Sequence, residues 1–344
     1  MQTNGLKCRF QPTVAVIGAG ISGLTCARTL ADHDVPVTVF EKSRGVGGRM
    51  ATRRNENGAA FDHGAQYFTV RDERFQSCVD SWQHADLVQP WTGRIVSLHD
   101  QRAERDKTST PRFVACPGMN AICKHLAENL EVRMNTRVVP PTRCQRKWLV
   151  SDVAGNELGQ YDLLIVSAPG PQAGELLQGS PPLARLASSV RIAGCWALLV
   201  QFPARIDVNY DGAFVQDSAL SWIARNSSKP GRNPDTETWI LHASGDWTQC
   251  HLEESPEAIQ ERLLDAFWDA TGVGAVPPGY LVTHRWRHAL PTEPLPDRYL
   301  FDSDLRIGAC GDWCSGPRVE GAFLSGAAMA GRVLASMGHV DCEV

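Results

Sequence analysis

Two neighbouring segments near the start of the chain decide the fold: TVAVIGAGISGLTCARTL at residues 13–30 and VPVTVFEKSRGVGGRM at residues 35–50. The apolar runs Val14–Ile17 and Val37–Phe40 have the length and composition of buried parallel strands. Between them, a G-x-G-x-x-G pattern opens a stretch with helical spacing. The order strand, glycine turn, helix, strand predicts a βαβ unit of a Rossmann-like α/β sheet.

The glycines of this pattern have separate tasks. Gly18 permits the tight turn out of the strand, Gly20 leaves room for a pyrophosphate, and Gly23 allows close packing of the helix on the sheet. The free N–H groups and the dipole of the helix start favour phosphates, and Glu41 can accept hydrogen bonds from ribose hydroxyls. The pattern predicts a dinucleotide site whose first candidates are Gly18, Gly20, Ile21, Ser22, Gly23 and Glu41.

The residues after Glu41 indicate which dinucleotide binds. The run E-K-x-x-x-x-G-G-R, residues 41–49, resembles the FAD-binding signature of the amine oxidase and glutathione-reductase-like flavoproteins. The resemblance implies non-covalent FAD, with paired glycines passing close to the cofactor. It also implies that Arg49 pairs with the pyrophosphate, which suits a planar and permanently charged guanidinium. Lys42 and Met50, at the two ends of the signature, are further candidates for the cofactor site.

Composition limits the function classes. The 344-residue chain is 43% hydrophobic, and its formal net charge of −4 gives no reason to expect nucleic acid or a membrane as a partner. No apolar run approaches the roughly 20 residues of a membrane span. Residues 1–12 lack the apolar core of a signal peptide. We therefore expect a cytoplasmic protein, and nothing in the sequence indicates a protein partner.

The eleven cysteines are scattered, without a C-x-x-C pair or a Cys/His cluster at zinc spacing. Cys310 and Cys314 flank a strand-to-loop passage, where structural thiols are favoured over a metal or a disulfide. A reducing compartment fits this usage. We expect no metal site.

The distribution of strand and helix patterns predicts two domains. Segments 12–60, 117–172 and 300–338 form a discontinuous FAD-binding domain, because strand-then-helix patterns return in the middle and at the end of the chain. Segments 61–116 and 173–299 form an inserted substrate domain with a mixed, mainly antiparallel sheet, because short strand candidates alternate there with turn residues. The polar stretch 101–112 is expected to be an exposed loop.

The last block, RIGACGDWCSGPRVEGAFLSGAAMAGRVL at residues 306–334, provides a second cofactor signal. In the flavoprotein group that the chain resembles, Asp312 would lie near the ribityl chain and the pyrophosphate. The helix that starts at Val319 would point its positive end at the flavin N1–C2=O edge, which becomes negative on reduction. The same resemblance places the backbone of Val138 against the adenine.

The chain as a whole resembles the renalase family, in its bacterial branch. The similar segments include SRGVGGRM, DHGAQYFT, WIARNSSKP, TWILHA, HRWRHA and GDWCSGPRVEGAFLSG. The resemblance implies FAD-dependent oxidation of 2- or 6-dihydro isomers of NAD(P)H. A hydride passes to flavin N5, and O2 is reduced to hydrogen peroxide. Since the transfer restores an aromatic ring, no catalytic acid or base is required, and none is assigned.

The resemblance also implies a substrate site. Gly64, Ala65 and Gln66 would run past the flavin, and Gln66, Tyr67, Phe68 and Thr69 would line the nicotinamide pocket. Arg71 and Arg318 would meet substrate phosphates or exclude the cationic product, and Trp196, Trp286 and His242 would form the pocket wall. Arg225 lies in a family-like segment, with its role left open.

Two alternatives remain. An amine oxidase on the same fold would have an aromatic cage, but Arg318 stands where a cage tyrosine is expected, two residues before Glu-Gly-Ala. It would also have a flavin-side lysine, which the sequence does not locate. A flavin-bound protein that acts only by interaction would call for an exposed repeat, a coiled coil or a charged tail, and the sequence has none of these.

Overall fold

The computed structural model describes residues 12–106, 109–314 and 316–338. The helices of this part are α1 Ile21–Ala31, α2 Glu73–His84, α3 Ala121–Leu126, α4 Gly170–Leu176, α5 Pro181–Ser189, α6 Gly245–Cys250, α7 Pro256–Thr271 and α8 Val319–Gly338. Its strands are β1 Val14–Ile17, β2 Val37–Phe40, β3 Thr52–Arg54, β4 Ala60–Asp62, β5 Val88–Pro90, β6 Ile95–His99, β7 Arg102–Asp106, β8 Phe113–Ala115, β9 Glu131–Arg133, β10 Thr142–Cys144, β11 Lys147–Ser151, β12 Glu157–Tyr161, β13 Leu163–Val166, β14 Ile192–Phe202, β15 Gly212–Val215, β16 Leu220–Arg225, β17 Glu237–Ala243, β18 Tyr280–Pro291, β19 Leu300–Asp302 and β20 Ile307–Ala309.

A six-stranded sheet in the order β19-β20-β13-β1-β2-β9 forms the centre of the dinucleotide-binding fold. Strands β1, β2, β9, β13 and β20 are parallel, and only β19 pairs in the antiparallel sense. Every side chain of β1 is buried, as expected for a strand that is covered on both faces. The parallel strands end at a common edge, which is where open α/β sheets bind their ligands.

Helices α1 and α8 pack side by side at this edge. A Cβ atom on Gly326 would lie 2.1 Å from the carbonyl oxygen of Ser22, so the two backbones meet with no room for a side chain. This contact joins the first βαβ unit to the end of the chain. The structure thus confirms the predicted fold class, a Rossmann-like α/β domain combined with a mixed sheet.

The mixed sheet has seven strands in the order β18-β14-β17-β16-β15-β6-β7. All neighbours are antiparallel except β15 and β6. Helix α7 covers one face, the outer face, through Ile259, Leu263 and Phe267, and β4 packs against the opposite face, the inner face, through Phe61. The inner face therefore looks toward the segment that follows β4.

Two sequence expectations can be compared with these elements. The stretch 101–112 is not simply a loop, because β7 pairs with β6 at the sheet edge, where a polar strand can face water. All strands of the six-stranded sheet fall within segments 12–60, 117–172 and 300–338, and all strands of the seven-stranded sheet fall within 61–116 and 173–299. The β3–β4 hairpin crosses the boundary at residue 60, and the division into two domains stays a prediction.

Candidate active site

The phosphate loop, residues 18–23, lies between the carboxyl ends of β1 and β13. Gly18 has a φ of 111°, and a Cβ there would be 2.3 Å from the carbonyl oxygen of Ser167. A Cβ on Gly23 would be 2.1 Å from the carbonyl oxygen of Gly18. Gly20 differs, because a Cβ there would meet no atom within 4 Å. The loop is therefore closely packed at Gly18 and Gly23, while the space next to Gly20 is open, as a pyrophosphate site requires.

Glu41 is buried at the end of β2, beside this loop. Its Oε2 accepts the N–H of Ala19 at 2.8 Å, and its Oε1 accepts the N–H of Ser43 at 2.8 Å. Each carboxylate oxygen can accept a further hydrogen bond. Glu41 can therefore receive two ribose hydroxyls without giving up its backbone contacts.

The glycine loop, residues 45–49, folds over the phosphate loop. Gly47 forms an isolated parallel bridge with Gly20, and it and Gly48 have positive φ angles of 121° and 51°. Arg49 follows and makes a bidentate pair with Asp312, at 2.7 Å and 2.5 Å. The sequence assigned both residues to the cofactor separately, whereas the structure joins them into one ion pair across the site. Such a pair fixes a guanidinium more firmly than a single contact does.

The other cofactor candidates differ in exposure. Ile21 and Met50 are buried in the core, and Lys42 is exposed, with its Nζ 3.3 Å from Oε1 of Gln172. Val138 bridges Asp152, but the hydrogen bonds of this bridge use the N–H groups of Val139 and Val153, which leaves the Val138 backbone outside them. Val319 begins α8, and the first N–H groups of a helix have no hydrogen-bond acceptor within the helix.

A turn formed by residues 62–66 connects the glycine loop to the inner face. A Cβ on Gly64 would lie 2.0 Å from the carbonyl oxygen of Arg49, which also accepts the N–H of Ala65 at 2.8 Å. The Gln66 amide donates to the carbonyl oxygens of Asp62 and Gly64. The turn is thus held against the backbone of the residue that pairs with Asp312.

Strand register brings one row of aromatic side chains together on the inner face. His284 of β18 is opposite Ala197 of β14, Ala197 is opposite His242 of β17, and His242 is opposite Trp222 of β16. Trp286, two residues beyond His284, lies on the same face because side chains alternate along a strand. The sequence had named His242 and Trp286, and had missed His284 and Trp222.

His63 completes this row from the turn. Its ring stacks on Trp286 with the ring centroids 5.1 Å apart, and lies edge-on to His284 at 4.7 Å. Its carbonyl oxygen accepts the indole N–H of Trp286 at 2.9 Å, and Nε2 of His242 lies 3.2 Å from the same oxygen. The Nδ1 atom of His63 is buried without a hydrogen-bond partner in the described residues.

The imidazoles of this row are uncharged at neutral pH. Burial lowers the pKa of His63 to about 4, with the neighbouring His284 as the second cause. Burial likewise lowers the pKa of His242 to about 4. The pKa of His284 is also lowered, by burial and then by Arg53. The inner face thus offers neutral rings and imidazole nitrogens.

A buried ionic cluster, consisting of Asp62, Lys229 and Arg232, lies behind the turn. Lys229 Nζ is 3.4 Å from Oδ2 of Asp62, and Arg232 Nη2 is 2.5 Å from the same oxygen. Burial alone would raise the pKa of Asp62, but Lys229 and Arg232 lower it to about 2. Burial lowers the pKa of Lys229 to about 8, against the effect of Asp62. With two cations and one anion, the cluster is net positive at pH 7.

Three residues that the sequence assigned to the substrate pocket have side chains that point away from it. Trp196 projects to the outer face, because it neighbours Ala197, and its indole N–H donates to the carbonyl oxygen of His251 at 3.0 Å. Arg225 is buried with Glu237 at 3.0 Å and lies over the ring of Trp239. Phe68 packs in the core near Phe75. We therefore remove Trp196, Arg225 and Phe68 from the substrate pocket.

The remaining substrate candidates lie around the turn and the start of α8. Tyr67 is half-buried, 5.5 Å from the ring of Trp222, and Thr69 is also half-buried. Glu320 accepts the N–H of Arg71 at 2.7 Å, which brings the exposed Arg71 close to the exposed Arg318. This hydrogen bond joins the segment of Arg71 to the start of α8, which follows Arg318, although the sequence separates the two arginines widely.

In residues 12–106, 109–314 and 316–338, no three His, Cys, Asp or Glu side chains are grouped to hold a metal ion. In the same ranges, no helix has both the length and the apolar character that crossing a bilayer requires.

Comparison with known proteins agrees with this geometry. The family model "NAD(P)-binding Rossmann-like domain" matches residues 16–82, and the model "Flavin containing amine oxidoreductase" matches residues 71–334. Amine oxidase [flavin-containing] A of Bos taurus is 52% identical over 54 residues, 16% of this chain and 10% of the relative. A 4,4'-diapophytoene desaturase of Staphylococcus aureus (strain MRSA252) is 31% identical over 121 residues, 34% of this chain and 22% of the relative. The chain thus matches about a tenth to a fifth of the length of these relatives.

Solved structures show the same fold along almost the whole chain. A candidate protoporphyrinogen oxidase from Exiguobacterium sp. 255-15 superposes with a TM-score of 0.75 at 13% identity, over 94% of this chain and 98% of that one. Wild-type putrescine oxidase bound to putrescine gives a TM-score of 0.66 at 14% identity, over 94% and 99%. The open space at Gly20, the Glu41 carboxylate and the Arg49–Asp312 pair fit FAD, which is the cofactor. The chain belongs to the flavin-containing amine oxidoreductase family.

Proposed function

We propose that this flavin-dependent oxidoreductase oxidises 2- or 6-dihydro isomers of NAD(P)H, as a renalase does. In the overall reaction, dihydro-NAD(P), O2 and H⁺ yield NAD(P)⁺ and H2O2. FAD, when bound, supplies the two-electron chemistry that links the nicotinamide to O2. The observation that carries the proposal is that the inner face is built from aromatic rings and neutral imidazole rings.

The inner face suits an uncharged heterocycle. Its positions in β14, β16, β17 and β18, strands that the structure describes in full, include Trp222, His242, His284 and Trp286 and no Asp or Glu. The flat rings offer stacking surface to a dihydropyridine, and the imidazoles can bond its carboxamide. Since oxidation makes the ring an aromatic cation, the protein needs to position the substrate and does not need to supply a base.

Charge near the turn favours the same class of substrate. The cluster of Asp62, Lys229 and Arg232 is net positive, and it disfavours an alkylammonium ion more than a neutral dihydropyridine. The product is a pyridinium cation, and a positive environment favours its release. Arg71 and Arg318 are exposed near the start of α8, and we assign them to the substrate diphosphate, which suits guanidinium groups.

Amine oxidation is the second candidate, because the family model and the putrescine-bound neighbour both belong to proteins named for amines. The experiment is peroxide formation by the purified holoenzyme with separated 2- and 6-dihydro isomers, with ordinary 4-dihydro-NADH, and with putrescine. We expect peroxide with at least one isomer, and one NAD⁺ per H2O2 when NAD⁺ is assayed by an alcohol dehydrogenase. Peroxide with putrescine and none with the isomers would replace the proposal by the amine oxidase function.

A further inference from the structure

Lys229 is a fully buried charge near the site that the reaction itself does not use. Its side chain has 0% exposure, and its ammonium lies near three side-chain oxygens, those of Asp62 at 3.4 Å, Gln66 at 3.1 Å and Asn226 at 3.0 Å. It also lies over the ring of Trp91, 5.7 Å from the centroid. A buried ammonium is costly to desolvate and is retained only where other groups compensate it. Asp62 compensates one positive charge, and Arg232 adds a second.

The contacts of Lys229 lead directly to the cofactor side of the fold. The Gln66 amide that receives the ammonium donates to the carbonyl oxygens of Asp62 and Gly64. Gly64 lies against the Arg49 backbone, and Arg49 pairs with Asp312. The ammonium therefore bonds two side chains of the turn directly, and the Gln66 amide connects it to the Gly64 carbonyl beside the glycine loop.

The positive charge of Lys229 also affects a side chain of the inner face. The pKa of His242 is lowered first by burial and, among the charged groups, by Lys229. The pKa values of His63 and His242 are both lowered to about 4, so the charge near the turn at neutral pH is that of the cluster. In a buried environment, such a charge acts over longer distances than it does in water.

We propose that Lys229 is a positioning residue that fixes the turn through Gln66, and that the net positive cluster it forms with Asp62 and Arg232 raises the reduction potential of the bound FAD. Reduction adds negative charge to a flavin, and a fixed positive charge nearby stabilises the reduced form. The proposal rests on the cofactor and not on the identity of the reducing substrate.

The test is the midpoint potential of FAD in the holoenzyme, measured by equilibration with reference dyes. Lys229→Met makes the cluster neutral, and we expect it to shift the reduction equilibrium about tenfold toward oxidised flavin, about 30 mV lower for a two-electron couple. Lys229→Arg keeps the charge, and we expect it to keep the potential within a third of that shift. Lys147→Met is the matched control, because it removes a lysine from an ion pair with Asp162 on the three-stranded sheet.

A second pair of variants separates charge from packing and applies if Lys229→Met loses FAD. Lys229→Gln retains a polar partner for Gln66 and should lower the potential, whereas Asp62→Asn combined with Lys229→Gln restores the net charge through Arg232 and should restore the potential. Sulfite affinity should weaken and recover in parallel. An unchanged potential in Lys229→Met or Lys229→Gln, an equal shift in Lys147→Met, or no recovery in the double variant would overturn the proposal.

Discussion

Replacement of Gly64 by alanine should disrupt the cofactor site from within the turn. The added Cβ would lie 2.0 Å from the carbonyl oxygen of Arg49, and contacts under 3.0 Å are essentially never seen, so one backbone must move by about 1 Å. Overpacking of this kind costs about 1–3 kcal/mol. Loss of the Ala65 N–H bond to the same oxygen adds about 1 kcal/mol.

Two assays measure these effects. We expect Gly64→Ala to lower the unfolding free energy of the apoprotein by about 2–4 kcal/mol in urea. We also expect it to weaken FAD binding at least about tenfold, since a movement of Arg49 disturbs its pair with Asp312. Gly274→Ala is the matched control, because a Cβ there also meets nothing within 4 Å and the residue lies between α7 and β18, outside the cofactor loops. Equal stability and equal FAD affinity of the two variants would refute the close-packing argument.

Three further predictions concern the two sheet faces, acidity and the ion pair. Trp286→Phe should raise the KM for the reducing substrate. Trp196→Phe should leave KM unchanged and lower the free energy of unfolding in urea by about 1 kcal/mol, because it removes the indole hydrogen bond to the half-buried His251 carbonyl. Equal KM values in the two variants would contradict the face assignment. The pKa values of His63 and His242 in the folded protein are near 4, below the ordinary 6.5. The free energy of unfolding should therefore fall by about 3 kcal/mol for each histidine as the pH drops from about 6.5 to about 4. In urea unfolding, His242→Gln should make this dependence on pH less steep. Asp312→Asn should weaken FAD binding at least about tenfold in fluorescence titration, because it leaves the partner guanidinium with a neutral acceptor; wild-type affinity would show that the pair does not organise the site.

The part of the fold that is specified by residues close together in the sequence could be predicted from the sequence. The turn at Gly18, the strand that ends at Glu41 and the glycine loop are each specified by residues within one βαβ unit, since glycine spacing and apolar runs act locally. Asp312 was identified through the resemblance of the last block to the flavoprotein group. What the sequence did not show is that its carboxylate pairs with Arg49, a contact across 263 positions.

The substrate side was less predictable because it depends on register between distant strands. Trp196 and Ala197 are adjacent, yet only Ala197 faces His242 and His284, and no local pattern states which of the two points inward. Arg225 resembled a ligand-binding arginine because the sequence does not show that Glu237 neutralises it inside the outer face. Lys229 was missed for the same reason, since its partner Asp62 lies 167 positions away.

The central claim is that the inner face accepts a dihydronicotinamide. It is tested most directly by anaerobic rapid mixing of the holoenzyme with separated 2- and 6-dihydro isomers of NADH, while the visible absorbance of the flavin is recorded. We expect fast bleaching by at least one isomer and slow bleaching by 4-dihydro-NADH. We also expect a loss of rate in Trp286→Phe that Trp196→Phe does not share. No bleaching by either isomer, with rapid bleaching by a primary amine, would contradict it.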